Sequence, residues 1–364
     1  MTYPIHEHRA PLVRKVIFER KPDPLERLAL NAYAQASHKR VQKHLREAPF
    51  KADSKVVSVG NLVHGGTGKT PLVRHLVSMF VARGASVGVL RSPYGGKEND
   101  RLVSPSEVDT QDGLKDLPDE ALMLLSEFGS KGVSLGVFKD RSFGAKAMEE
   151  NCDVIVADDA FQFVSLAREL DIVCFRAESP FGVLNSIEHG PLREPVSSLD
   201  RAGMIWISGA DKVDRIFLQK LVQAISNHTN APVIKAHDVF TTLIDPEGNA
   251  VEIDKLKGRR LVALSGVGDP VRFEGDLIRL GVDIAAAFRF DDHCRYNSGT
   301  LTTVKRVISS SGAEGLICTE KDRVKLRTLN DLPTLWSLVL DVEPFKEDRK
   351  IYGKLIDDLL VKDR

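Results

Sequence analysis

The chain has 364 residues, 42% hydrophobic and 28% charged, and Lys plus Arg balance Asp plus Glu at a formal net charge of zero. That composition belongs to an ordinary folded protein long enough for two domains; it excludes a disordered chain and gives no support to a nucleic-acid partner. Cys152, Cys174, Cys294 and Cys318 form no C-x-x-C pair, which argues against structural zinc or a disulfide framework, and no apolar run reaches the ~18–20 residues of a membrane span. With no secretory leader pattern, a cytoplasmic protein is expected, and nothing in the sequence calls for an obligate protein partner.

Residues 1–50 carry ten Lys/Arg against five Asp/Glu. Within them Asp23, Pro24 and Glu26 form a helix-start pattern, after which Leu25, Leu28, Ala29, Ala32, Tyr33 and Ala36 share one helical face. Lys39, Arg40, Lys43 and Arg46 make the far end basic. Residues 24–46 therefore read either as a helix docked on the neighbouring domain or as an interfacial helix on an anionic membrane.

From Val56 the pattern alternates. VVSVG predicts a strand, Pro71–Arg83 a helix, and Ser86–Leu90, Val133–Phe138 and Asp153–Asp159 further strands, with a helix near Phe143–Glu150. Asp171–Phe175 and Gly203–Ser208 continue the series. Near-continuous apolar strands separated by helices predict an α/β protein with a parallel sheet covered on both faces. Thr241–Ile253 reads as a hairpin turning at Pro246–Asn249, and Arg260–Asp269 opens a second α/β unit. The expected organisation is a basic segment over 1–50, a P-loop NTPase-like domain over 51–238 and a smaller α/β domain over 239–364, hinged near 241–253.

The stretch VVSVGNLVHGGTGKTPLV carries the strongest chemical signal. A strict G-x-x-x-x-G-K-[ST] pattern is not met, since Val63 stands where its first glycine belongs. Gly65, Gly66, Thr67 and Gly68 still lie between a strand and a helix, where backbone N–H groups and the helix N-terminus can cradle phosphates; Gly60 and Asn61 make the turn out of the strand. Lys69 adds a mobile positive charge for catalysis and Thr70 a hydroxyl for Mg²⁺. Asp158 and Asp159 end an apolar strand, where carboxylates bind a metal directly or through water. Asp211-Lys212-Val213-Asp214 differs by one residue from the N-K-x-D loop of GTPases, which keeps open a GTPase or metallochaperone-type NTPase. His293, among acids, can serve as a base or a base's partner. CTEKDRVKL reads as a charged, solvated loop.

Taken together, the pieces resemble the tetraacyldisaccharide 4′-kinase family of lipid A biosynthesis in Gram-negative bacteria. SVGNLVHGGTGKTPLV is similar to its S-V-G-N-L-x-x-G-G-T-G-K-T-P, VADDAFQ to its D-D-G-x-Q, ALSGVGDPVRF to its G-I-x-x-P-x-R-F and FDDHCRY to its D-H-x-x-Y, while GPLREP and TEKD match unchanged. The resemblance implies ATP with Mg²⁺ as phosphate donor and the 4′-hydroxyl of a tetraacylated glucosamine disaccharide phosphate as acceptor, met at the cytoplasmic face of the inner membrane. It aligns the family's G-D-E-P with LPDEAL, giving Asp119 as the partner of His293 in catalysis and Glu120 near the metal. Asn61, Gln162, Arg193 and Glu194 become the candidates for substrate binding. This chain departs from the family where D-D-G-x-Q-H becomes Asp158-Asp159-Ala160-Phe161-Gln162-Phe163 and S-R-G-Y-G becomes Arg91-Ser92-Pro93-Tyr94-Gly95. Its N-terminal segment also lacks the family's apolar membrane helix. A diverged relative that binds nucleotide or lipid without catalysis is the other expectation left open.

Overall fold

The computed structural model describes residues 35–39, 41–63, 66–93, 100–103, 117, 119–180, 192–267, 269–291 and 294–361. The expected helix start at 23–34, Arg40, His293 and Gly65 lie outside these residues. The chain contains, in order, β1 (Lys55–Gly60), α1 (Lys69–Ala82), β2 (Val87–Arg91), β3 (Arg101–Val103), α2 (Asp119–Phe128), β4 (Ser134–Val137), α3 (Arg141–Met148), β5 (Val154–Asp158), β6 (Leu170–Arg176) and β7 (Met204–Ser208). It continues with α4 (Arg215–Ser226), β8 (Val233–Ile244), β9 (Ala250–Val251), β10 (Arg260–Ser265), α5 (Pro270–Arg279), β11 (Asp283–Arg289), α6 (Ser298–Ser311), β12 (Gly315–Thr319), α7 (Glu320–Leu326), β13 (Leu335–Pro344) and α8 (Arg349–Leu360).

Two compact units emerge. One comprises the described parts of Pro11–Asp116, Glu127–Asp238 and Val342–Arg364; the other includes Leu117–Ser126 and Val239–Asp341. The change of unit at Asp238 falls inside β8, which enters the hairpin with β9 through Leu243 opposite Val251. Sequence reading assigned all of 239–364 to the second domain and 117–126 to the first. Both are corrected, because Val342–Arg364 returns to pack with the P-loop unit and the start of α2 packs with the second.

In the P-loop unit the strand order is β8-β7-β6-β1-β5-β2-β4-β3, parallel except for β3 against β4. Strands β1, β2 and β4 to β7 are buried on both faces, as helices on either side require. Phe161, Val173, Phe175, Ile205 and Ile207 pack with Leu218, Leu221 and Ile225 of α4. Val56, Leu90 and Ile155 pack with Ala145 and Met148 of α3 on another cluster. In the second unit β11-β10-β12-β13 are parallel. Alternation along β10 sends Leu261 and Ala263 toward Phe273 and Leu277 of α5, and Val262 and Leu264 toward Leu301 and Val304 of α6.

Two local readings change. Residues 35–39 and 41–44 are helical, with Val41 buried and Ala36 exposed, so at the end of this segment the larger aliphatic side chain takes the inward position; Leu25, Leu28, Ala29, Ala32 and Tyr33 lie outside the described residues. TEKDRVKL is not a solvated loop: Thr319 caps α7 by accepting from Asp322 N, and Asp322, Arg323 and Lys325 are buried.

The returning helix α8 braces the phosphate-loop helix. Tyr352 is buried, donates its hydroxyl to Met79 Sδ at 3.2 Å, and lies 5.4 Å from the ring of Trp206 and 5.9 Å from that of His75. Arg83 adds an exposed pair with Asp357 at 2.9 Å. Tyr352→Ala is expected to destabilise the P-loop unit by about 3 kcal/mol, the cost of emptying a large aromatic site in a core. Urea unfolding followed by Trp206 fluorescence, in a Trp336→Phe background, measures it.

Candidate active site

The phosphate loop is held by its two ends. Gly60 closes β1 against the turn after β5: a Cβ there would meet Phe161 Cβ at 2.4 Å. Asn61, fully buried, donates its side-chain N–H to Thr67 Oγ1 at 2.9 Å across the loop. Gly68 has φ 86°, and a Cβ on it would lie 2.3 Å from Ser208 Oγ, so both backbone and space demand glycine. The helix that follows starts at Lys69 with no side-chain cap and no acidic residue in its first turn. Its first N–H groups are therefore available to an anion, whose charge the helix dipole favours.

The register of the sheet brings the acids beside this loop. Val59 of β1 lies opposite Asp158 of β5, and Leu90 of β2 opposite Ala157, so the ends of the three strands share one edge. Asp158 is buried and pairs with Arg91 at 3.3 Å; its carbonyl accepts from Arg141 at 3.0 Å. Arg141 is fully buried, also donates to the Phe138 carbonyl and stacks on Phe163 at 4.8 Å. Burial lowers its guanidinium to about 10, against the pull of Asp158 and Asp159. Asp159 adopts φ 51°, a left-handed conformation that Asp tolerates, and turns toward Lys69 at 3.4 Å and Arg193 at 2.8 Å. Burial pushes its carboxyl up, but Lys69 and then Arg193 outweigh this and hold it well below the usual carboxylate range.

The substrate-binding candidates form a brace. Backbone bridging joins Val63 to Leu192, and Arg193 N donates to the Leu62 carbonyl at 2.6 Å. Glu194 is fully buried, accepting from Ser198 Oγ and Arg201 Nη2 at 3.0 Å and from Gln162 Nε2 at 3.2 Å. Gln162 also donates to the Asn61 carbonyl at 3.0 Å. Glu194 thus spends its carboxylate on the protein, Asn61 its side-chain N–H and its carbonyl, and Arg193 reaches Asp159.

Thr70, Asp158 and Asp159 supply hydroxyl and carboxylate oxygens next to the loop. Among the described residues no three His, Cys, Asp or Glu converge as a ready cage. This donor set fits Mg²⁺, which takes one or two carboxylates and completes its shell with phosphate oxygens and water.

In the second unit, Asp119 and Glu120 open α2. Lys325 reaches Asp119 at 3.1 Å and Lys321 reaches Glu120 at 2.8 Å, both lysines coming from α7. Asp322, fully buried, accepts from Gly266 N at 3.1 Å and from the hydroxyls of Tyr296 and Thr319 at 2.7 Å. Burial and then Asp322 push the Tyr296 hydroxyl up, so it stays a donor. This knot ties together Gly266 after β10, Tyr296 before α6 and Thr319 at the start of α7. Sequence reading missed Tyr296, Asp322, Lys321 and Lys325 as site-building residues; their signal was the unbroken TEKD and the Tyr closing FDDHCRY.

Asp214 of the GTPase-like string caps α4 by accepting from Phe217 N at 2.8 Å, and Lys212 lies 4.0 Å from Asp238. The string is a helix start rather than a guanine-reading loop, which removes the support for the GTPase alternative.

A glycine-lined loop before an uncapped helix, beside an acid pair at the carboxyl edge of a parallel sheet, defines a P-loop nucleotide-binding protein. A profile of the family described as tetraacyldisaccharide-1-P 4′-kinase matches residues 24–360, and the chain belongs to that family. It is 34% identical over 277 residues to tetraacyldisaccharide 4′-kinase from Anaeromyxobacter dehalogenans, covering 76% of this chain and 73% of that one. To the enzyme of the same name from Chlamydia abortus it is 32% identical over 289 residues, covering 79% and 77%. A crystal structure of LpxK from Aquifex aeolicus in complex with ATP superposes with a TM-score of 0.66 over 92% of this chain and 99% of that one, at 22% identity.

The depressed Asp159 makes a pH prediction. A carboxyl whose native value lies below its unfolded value of ~3.9 contributes stability that is complete above that value and is lost as pH falls toward the native one. Asp159→Asn should therefore lower the urea midpoint by a constant margin from pH 8 to 5. The margin should shrink below about pH 4, a trend that denaturation at stepped pH values reads directly.

Proposed function

We propose that the chain transfers the γ-phosphoryl group of ATP to the 4′-hydroxyl of a tetraacyldisaccharide 1-phosphate, with Mg²⁺ bound at Thr70, Asp158 and Asp159. The observation that carries this reading is the uncapped start of α1 beside Lys69 and the Asp158–Asp159 pair, in a chain of this kinase family.

Backbone N–H groups of Gly66 to Thr70 receive the β- and γ-phosphates. Lys69 exchanges Asp159 for a phosphate oxygen and follows the charge that develops as the phosphoryl group leaves. Mg²⁺, when bound, neutralises the phosphate oxygens and aligns them for in-line transfer. Asn61 holds the loop through Thr67, and Glu194, Gln162 and Arg201 hold the strand of chain that carries Arg193. A sugar hydroxyl is a weak nucleophile, so its proton must leave in the transition state. Asp119, paired with Lys325, and His293 are assigned that task. Glu120, held by Lys321, completes the acidic end of α2.

Replacing Lys69 or Thr70 by Ala should reduce phosphoryl transfer by roughly 10²–10³-fold, the usual loss when one electrostatic contact to the transition state is removed. Transfer of ³²P from ATP to the tetraacyl disaccharide 1-phosphate in detergent, with and without Mg²⁺, measures it. Near-native turnover in either variant would place the nucleotide elsewhere.

The acceptor's acyl chains stay in a lipid phase, so the enzyme must come to a membrane surface. No described helix is long and apolar enough to cross a membrane. Lys39, Lys43 and Arg46 are exposed on the helical segment before β1 and can each add about 1 kcal/mol of attraction to an anionic leaflet. The variant Lys39→Glu, Lys43→Glu, Arg46→Glu should sediment with anionic liposomes far less than the native chain at low salt. Equal sedimentation would assign the contact to other surfaces.

A further inference from the structure

We propose that Arg91 is a stand-in cation at Asp158, so that this one ion pair sets how much Mg²⁺ the nucleotide site requires; the inference rests on the kinase reading above. Arg91 is the last residue of β2, and the parallel pairing that puts Leu90 opposite Ala157 brings Arg91 alongside Asp158. Their side chains meet at 3.3 Å with 13% and 4% of each exposed. In so enclosed a position salt screens the attraction little.

The neighbouring charges make the pair an exchangeable one. Arg141 is the fixed cation here: its Nη1 and Nη2 are engaged by the carbonyls of Phe138 and Asp158, and Phe163 covers its face. Arg91 stands at a strand end, directed at the carboxylate itself. Lys69 and Arg193 hold Asp159 in the same manner. Among the described residues, four cations thus surround two carboxylates at this edge. A polyphosphate supplies the missing negative charge and draws the cations to itself, leaving the carboxylates for a divalent ion.

A metal at Asp158 sets a second cation against Arg91, which holds Oδ2, and two cations competing for one carboxylate are coupled: each weakens the other by the same factor.

The test is binding of ATP, followed by titration calorimetry while Mg²⁺ is varied, on the native chain, Arg91→Ser, Arg91→Lys and Asp158→Asn. Arg91→Ser should lower the Mg²⁺ midpoint for nucleotide binding at least about fivefold, the low end of measured couplings between ligands of one protein. Arg91→Lys, which keeps the competing charge, should stay near the native midpoint, and Asp158→Asn should lose most of the Mg²⁺ dependence. A midpoint in Arg91→Ser that is unchanged or raised overturns the proposal, since Arg91 would then be inert or would help bind. If a melting curve shows that Arg91→Ser does not fold, Arg91→Gln keeps the side-chain stem and carries the same expectation. ATP binding in the native chain that ignores Mg²⁺ would sink the metal reading itself, and is told apart because it appears without any variant.

Discussion

The parallel register of β2, β5 and β1 is the constraint on which the nucleotide site depends. It aligns Arg91, Asp158 and Gly60 at the carboxyl ends of three adjacent strands. Everything chemical in the P-loop unit is then a matter of what those ends can reach. Shifting β5 by one residue would turn Asp158 away from the edge and bring an apolar neighbour to it, because side chains alternate along a strand. The buried runs on both faces of these strands prevent such a slip, and so the core protects the site geometry as well as the fold.

Around that edge the protein stores charge in a paired form. Asp159 is shared by Lys69 and Arg193, and Asp158 by Arg91. Isolated charges in so enclosed a place would be costly, and pairing keeps them ionised. The same cations that neutralise the acids suit the phosphates of a nucleotide, so ligand binding can proceed by exchange of partners. The brace of Asn61, Gln162, Glu194 and Arg201 makes this practicable. It ties the turn after β1 to the turn after β5 and to the segment carrying Arg193, so the loop keeps its shape when its charges change hands.

The second unit uses the same device in another place. Asp322 collects a backbone N–H and two hydroxyls, and α7 then presents Lys321 and Lys325 to the acids that open α2. A buried carboxylate satisfied by several donors is a strong fixture, and its cost falls mainly on any variant that removes a partner. The family string TEKD, with Lys325 one turn on, is thus a joint: the acid is buried at the centre and the two lysines face Glu120 and Asp119.

Much of this was legible in the sequence. The alternation of apolar strands and helices was enough for an α/β protein with a parallel sheet, because strands covered on both faces must be apolar throughout. Glycines before G-K-T marked the phosphate loop, since only that composition frees backbone N–H groups, and the paired aspartates after VIVA marked the strand end. Family strings carried the identity of the kinase. Composition and spacing could not say which charges meet. That Arg193 holds Asp159, that Arg91 faces Asp158, and that Gln162 reaches the buried Glu194 depend on residues far apart in the chain being brought together by strand order. Nor could they show that TEKDRVKL is buried or that α8 returns to the P-loop unit, since a charged string looks solvated until its partners are known. Local pattern determines which elements form; which side chains neutralise one another is decided only when the sheet is assembled, because electrostatic partners are chosen by distance in space and not by distance in sequence.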